Sequence, residues 1–295
     1  MSITDQGGPD QGGPDQAGVP VLRRHTVLIR RHSVVTRATH WINVVCMAIL
    51  LLSGLQILNA YPTLHWGKIG ADSDPFLARI VSVDAGGQPR GRLEISGHAI
   101  PTTGLLGASR YDGEMVPRAF PAWITLPSIP DLAKGRRWHL FFAWLFVING
   151  LLYLLVSAIG GHFRRDFRLS GGAMRPRNLW HDIRDHARLR FPKGEAARRY
   201  NALQTLSYLA VIGGLLPLMM LTGLTMSPAI DAAAPILLDL FGGRQSARTI
   251  HFATASMLVL FVVVHVLMVL LSGVWNNMRS MVTGRYAIDV EGPGQ

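Results

Sequence analysis

The sequence predicts an all-α membrane protein, a four-helix transmembrane bundle with one long, partly irregular periplasmic loop. Three observations carry that expectation. Four apolar stretches of about 20 to 24 residues each match a hydrocarbon core of about 30 Å at about 1.5 Å of rise per residue. The basic residues collect between those stretches rather than inside them. Hydrophobic residues make up 49% of the 295 positions and charged residues only 16%.

Taken in order, the chain opens with TDQGGPDQGGPDQAGVP, a five-residue unit repeated in Gly, Pro and Asp. Such a segment cannot bury a core, so residues 1–22 read as a disordered tail, without the apolar centre of a signal peptide. The membrane domain is expected over 23–285 and a C-terminal tail over 286–295. The four spanning helices are placed at about 39–59, 138–159, 203–226 and 250–272. Pro217 interrupts the third, with Gly213, Gly214 and Gly223 nearby, which membrane helices tolerate when neighbours satisfy the freed backbone groups. Between the first two helices lies a loop over 60–135. In it LARIVSV and GRLEIS read as two short strands separated by the turn-rich DAGGQP. A loop of that length is usually functional or a docking surface.

Charge sets the orientation. Residues 161–199 hold ten Arg and one Lys against four acids, whereas 60–135 balances seven cations with seven acids. By the positive-inside rule both termini and the basic loop face the cytoplasm, and the long loop faces the periplasm of a bacterial inner membrane. The net charge of +11 is the kind of balance that suggests nucleic acid, but there is no soluble basic fold to present it. A single cysteine, Cys46, excludes a disulfide framework, a Cys-based zinc site and an iron–sulfur cluster ligated by this chain.

Four of the eleven histidines fall in the spanning segments: His40, His139, His251 and His265. Ionisable groups at that depth are functional candidates, because burying them without a partner is costly. His251 and His265 stand 14 residues apart, which places both rings within about 40° on one helix face and about 21 Å apart along the axis. His40 matches the depth of His265, and His139 that of His251. Paired imidazoles from facing helices are how a bundle clamps a flat macrocycle, so the pattern points to two haem b groups, with His40 and His265 on the inner iron and His139 and His251 on the outer. Mononuclear zinc would want more ligands than either level offers. Arg37, Arg136 and Arg248 each precede one of these histidines by three residues, where a bidentate guanidinium suits a haem propionate; anchoring at the interface is the plainer reading. Trp41 and Trp138 read as interfacial aromatics, Met219, Met220, Met226 and Met257 as packing, and His162, His181 and His186 as solvated. His65 and His98 are expected as surface histidines of the outer loop.

RATHWIN with SGLQI, GRRWHLFFAW, and GGRQSARTIHF with a second histidine 14 residues on resemble the bacterial di-haem cytochrome b family, the membrane subunits of formate dehydrogenases, nickel–iron hydrogenases and thiosulfate reductases. The resemblance covers roughly residues 30 to 275 and implies the same ligand pairing, a quinone site near one haem, and a catalytic partner subunit. YNALQ, LTGLTMSP and WITLP look most like the subset that accompanies periplasmic molybdopterin oxidoreductases. Transmembrane electron transfer between the quinone pool and that partner is then the expected function, with Asn43, Asn201 and Gln204 as candidates for the quinone site. Nucleic acid is not an expected partner. Two other readings stand beside it: a haem-free membrane anchor or small transporter using the intramembrane histidines, and a quinone-linked reductase acting alone on a small oxidant.

Overall fold

The structure, a computed structural model, describes residues 22–71, 74–160 and 202–293 together with the helical positions Arg177, Trp180 and Arg184. The N-terminal repeat, the rest of the basic loop, Asn201, His162, His181 and His186 lie outside the described residues.

Four helical spans are long and apolar enough to cross a membrane. The first is α1 (Val34–Leu58) and the second α2 (Leu132–Ile159). The third is built in three pieces: α3 (Ala202–Ala210), a π-helical segment Val211–Leu215, and α4 (Leu216–Thr225). Two short helices, α5 (Pro228–Ala233) and α6 (Ile236–Phe241), lead into the fourth span, α7 (Arg244–Leu271), which α8 (Val274–Thr283) follows. The π segment sits directly before Pro217, where a widened turn absorbs the hydrogen bond that proline cannot donate.

Helices α1 and α2 start earlier than the apolar runs suggest, because polar caps rather than hydropathy set their ends. The Ser33 hydroxyl accepts from Thr36 N at 3.1 Å, and the Asp131 carboxylate from Lys134 N at 2.8 Å. At 28 residues, α2 and α7 are about 42 Å long and outrun the hydrocarbon core.

Packing between spans uses small and polar side chains. On α1 the buried residues are Thr39, Cys46, Ser53 and Gln56, the first three at seven-residue intervals. Gly135, Asn149 and Ser157 do the same on α2. Large apolar residues such as Phe141, Leu151, Leu260 and Val263 are more than half exposed and face outward. Lipid is as apolar as leucine, so close approach and hydrogen bonds, not exclusion of water, hold these helices together. Asn149 shows it: its amide donates to Thr39 O at 2.9 Å and to Asn43 Oδ1 at 2.7 Å, tying α2 to α1.

The expectation of an all-α fold needs correction. Residues 60–135 hold six strands: β2 (Thr63–His65), β3 (Phe76–Asp84), β4 (Pro89–Ile95) and β5 (His98–Pro101) in one antiparallel meander, and β6 (Ala108–Tyr111) with β7 (Glu114–Pro117) in a hairpin. The two strands expected from LARIVSV and GRLEIS are β3 and β4. The others are too short for alternation to mark them; glycine turns define them instead. The sheet and hairpin meet where Gly91 and Gly107 touch, a Cβ on Gly91 falling 1.8 Å from Leu106 O. A further pair of strands, β1 (Leu22–Arg30) and β8 (Arg285–Pro293), joins the two ends of the described chain from Leu22↔Pro293 to Arg30↔Arg285. The stretch expected as a C-terminal tail is thus one half of a ribbon.

Candidate functional site

The four intramembrane histidines come together in two pairs. The ring centroids of His40 and His265 lie 6.5 Å apart with an interplanar angle of 60°, and those of His139 and His251 lie 6.4 Å apart at the same 60°. Two imidazoles on one metal ion, each with a bond of about 2.0 Å and about 1.1 Å more to its ring centre, would stand roughly 6 Å apart. Both pairs have that spacing. Among the described residues α1 packs along α2 and α4 along α7, but α7 has no extended packing with α1 or α2. The histidine rings meet across the space this leaves. A flat macrocycle would fit such a gap with one histidine ring from each helix pair to hold it, so the residues present fit haem.

Hydroxyl groups orient the outer pair. Ser53 Oγ lies 3.1 Å from His139 Nδ1 and donates its own proton to Ile49 O at 2.6 Å. Thr222 Oγ1 lies 3.0 Å from His251 Nδ1 and donates to Leu218 O at 2.7 Å. With the hydroxyl protons committed to carbonyls, both oxygens accept, which assigns the ring proton to Nδ1 and leaves Nε2 with its lone pair for a metal. A glycine follows each hydroxyl residue. A Cβ on Gly54 would stand 3.4 Å from His139 Cε1, and one on Gly223 3.5 Å from His251 Cε1. The arrangement is therefore repeated, once from α1 onto α2 and once from α4 onto α7, and it is written in the sequence as SGL and TGL.

Aromatic rings surround the inner pair instead. Phe261 stacks on His265 at 6.0 Å and 20°, with Tyr208 at the edge of Phe261, and Trp41 meets His40 edge-on at 5.6 Å. Trp41 also donates through Nε1 to Met281 O at 3.1 Å. Among the described residues neither inner ring has a hydrogen-bonding partner.

The three arginines fare differently. Arg37 donates to Val282 O, and Arg248 donates to Tyr61 O while its guanidinium lies 5.3 Å from the Tyr61 ring. Arg136 is exposed. Of the residues expected near a quinone, Asn43 accepts from Asn149, and Gln204 lies on α3. Trp138 is exposed and stacked on Phe142, as an interfacial aromatic would be, and Met220 and Met257 point outward.

His65 corrects the expectation of a surface residue: it is 1% exposed. Its Nδ1 faces Pro75 O at 3.2 Å and its Nε2 the Tyr61 hydroxyl at 3.0 Å, while Thr249 donates to its carbonyl at 2.6 Å. Its ring is held by local partners, Tyr61 and Pro75, and the start of α7, arriving from far along the chain, covers its backbone. There Gln245 N and Ser246 N both donate to Gly67 O, so the loop caps the helix that carries the outer histidine. His98, on β5, is exposed as expected.

A second anchor holds the outer loop to α1. Arg118, 8% exposed, donates to Gln56 Oε1 at 3.0 Å, to Thr125 Oγ1 at 2.6 Å and to Ser128 O. Gln56 Nε2 reaches Ile129 O at 3.0 Å. Burial pulls the Arg118 guanidinium below its usual range, yet it stays charged.

Comparison with known proteins gives two findings. A family model described as prokaryotic cytochrome b561 matches residues 31–284. A protein of Azospira oryzae, named as a candidate protein-methionine-sulfoxide reductase subunit, YedZ1, is 29% identical over 236 residues, which are 80% of this chain and 87% of that protein. No solved structure matches.

Proposed function

This chain belongs to the prokaryotic cytochrome b561 family, and we propose that it carries electrons across the membrane between the quinone pool and a partner oxidoreductase through two b-type haems. His40 and His265 hold the inner haem, His139 and His251 the outer. The observation that carries the reading is the pair of matched ring separations, 6.5 and 6.4 Å, at two depths on one shared helix.

When bound, haem supplies reversible one-electron transfer. The residues of the chain do the rest. In His139 and His251 the hydroxyl contacts at Nδ1 leave Nε2 free. Ser53 and Thr222 hold the outer rings in the tautomer a metal needs. The apolar outward faces of the spans keep water from the path. Arg37, Arg136 and Arg248, one turn nearer the surface, are the groups proposed for the propionates. The quinone site is placed beside the inner pair, with Asn43, Asn201 and Gln204 as its polar residues.

Both termini are placed in the cytoplasm, so the strands of residues 60–135 face the periplasm and offer the partner its docking face. The name of the Azospira oryzae relative makes that protein a subunit of a redox enzyme, which supports a catalytic partner here. The molybdopterin class of that partner rests on the sequence resemblance.

The test is haem stoichiometry with a reduced-minus-oxidised optical spectrum of the purified full chain. Two haems with bis-imidazole α-bands are expected. A chain that binds none after adequate haem supply would instead be a haem-free anchor or transporter.

A further inference from the structure

We propose that a cationic pocket at the membrane surface, built on Arg30 and Arg285 and sharing only Arg37 with the proposed haem sites, binds the phosphate diester of an anionic phospholipid. The pocket lies where the β1–β8 ribbon meets the start of α1. It has a volume of about 460 Å³ and is lined by Leu28, Arg30, His32, Arg37, Thr283 and Arg285. Three arginines and a histidine line it, and no carboxylate does. Among the described residues none of the three arginines has an acidic partner.

The register makes this costly without a ligand. Arg30 and Arg285 are paired directly across the two strands, and like charges opposite each other destabilise a ribbon. Arg37 adds a third guanidinium, whose Nε is buried with no partner. Its other end is fixed by donation to Val282 O, and its guanidinium packs over Gly284, where a Cβ would fall 3.4 Å from Nε. Gly284 needs its φ of +80° to turn α8 into β8, so the close approach is built into the backbone. An oxyanion in the pocket would relieve the Arg30–Arg285 repulsion and give the Arg37 Nε–H an acceptor.

The position selects a lipid as the source of the oxyanion. The pocket adjoins the first turn of α1, a membrane span, and the last turn of α8. That helix carries Trp275, Met278 and Val282 on one face, 86%, 39% and 60% exposed. Its opposite face is tied to the ribbon, Asn276 Nδ2 donating to Ala287 O at 2.8 Å and Ala287 N to Asn276 Oδ1 at 2.9 Å. An exposed Trp–Met–Val face on a short helix leaving a spanning helix lies in the headgroup layer. The pocket then opens at the depth of lipid phosphates, where each arginine strengthens binding of anionic lipid.

The test uses the full chain in nanodiscs of phosphatidylcholine with and without phosphatidylglycerol, with retained phospholipid read by native mass spectrometry. The wild type should retain phosphatidylglycerol in preference to phosphatidylcholine. R30Q/R285Q should weaken that retention roughly fivefold for each arginine removed, with haem content unchanged, and R30K/R285K should keep most of it. Four results would each overturn the proposal: no preference in the wild type, equal retention by R30Q/R285Q, displacement of the lipid by inorganic phosphate at equal concentration, or loss of inner-haem absorbance in R30Q/R285Q. The last would give the pocket to haem propionates.

Discussion

The two histidine pairs have nearly the same spacing and angle, but their surroundings differ. The outer rings are each fixed at Nδ1 by a hydroxyl whose proton is spent on its own helix, and each lies against a glycine of the neighbouring span. The outer loop closes over that end through Gly67 and Arg118. The inner rings have aromatic neighbours and, among the described residues, no hydrogen-bonding partner. Equal separation is thus reached in two ways: at the outer level by oriented hydrogen bonds, at the inner level by ring packing. Hydrogen bonds fix tautomer as well as position; ring contacts fix position alone. The two levels should differ in haem potential and in how firmly haem is held.

The largest effects come from removing the ligands. His251→Ala or His265→Ala alone is expected to halve the haem content. Because α7 supplies one ring to each level, the double variant H251A/H265A should bind none. Pyridine haemochrome quantification reads this directly; one haem retained by the double variant would break the pairing. The sharper form of the comparison is which haem survives. His265→Ala should leave the outer haem with an unchanged potential, held by His139, His251 and their hydroxyls.

Next in size is Arg118. Replacing it by alanine strips the buried Gln56 carbonyl of a charged donor and removes the bonds to Thr125 and Ser128. Hydrogen bonds to charged groups are worth about 1.5–3 kcal/mol each. The variant should therefore loosen the outer loop by a few kcal/mol, seen as faster hydrogen exchange across β3 to β7. The outer haem should become more accessible to water-soluble reductants, and the inner haem should not.

Ser53→Ala and Thr222→Ala should act more gently. Each removes one acceptor from an outer imidazole, and partners of this kind are typically worth 10–100-fold in metal-site affinity or activity. The carbonyls of Leu50 and Met219 lie close enough to take over part of the bond, so the low end of that range is expected. A weaker bond at Nδ1 makes the imidazole a poorer electron donor. The outer potential should rise, by roughly 59 mV if the oxidised haem is held tenfold less tightly relative to the reduced. Redox titration followed at each α-band tests this, and equal shifts at both haems would remove the distinction between the levels.

How much of this could be read in advance depended on how local the signal was. The spans announced themselves by length and hydropathy. The pairing followed from the 14-residue interval on α7, a regularity within one helix. Ser53 and Thr222 went unnoticed because a hydroxyl inside a helix commonly bonds its own carbonyl; only the neighbouring span shows that the oxygen also accepts from a ring. The burial of His65 is hidden for a similar reason: its partners Tyr61 and Pro75 are brought onto the ring by the fold of the loop, and Thr249 reaches its carbonyl from the start of α7. The ribbon of β1 and β8 joins segments from opposite ends of the chain, and no periodicity within either one reveals the other.

The smallest effect separates the levels by pH. Glu94 on β4, 8% exposed, is bonded to Arg79 at 2.5 Å and to Arg92 at 2.7 Å. Those partners, Arg79 foremost, hold its carboxyl below the ordinary carboxylate range. A depressed pKa means that the unfolded loop binds the proton more readily than the folded one. The contribution is therefore complete above the ordinary glutamate pKa of about 4.3 and fades as pH falls through the lower folded value. Between pH 7 and 5 the outer loop should keep its stability, and below about pH 4 it should loosen, while in the spans the acid response should stay confined to the first turn of α2, where Asp131 caps the helix and pairs with Lys134 at 3.2 Å. Glu94→Gln should flatten that acid limb and lower stability at neutral pH. Following the outer α-band during acid titration checks it: a midpoint unmoved by Glu94→Gln would mean that the loop's acid response lies elsewhere, and an inner band moving in step would mean that the loop does not shield the outer pair selectively.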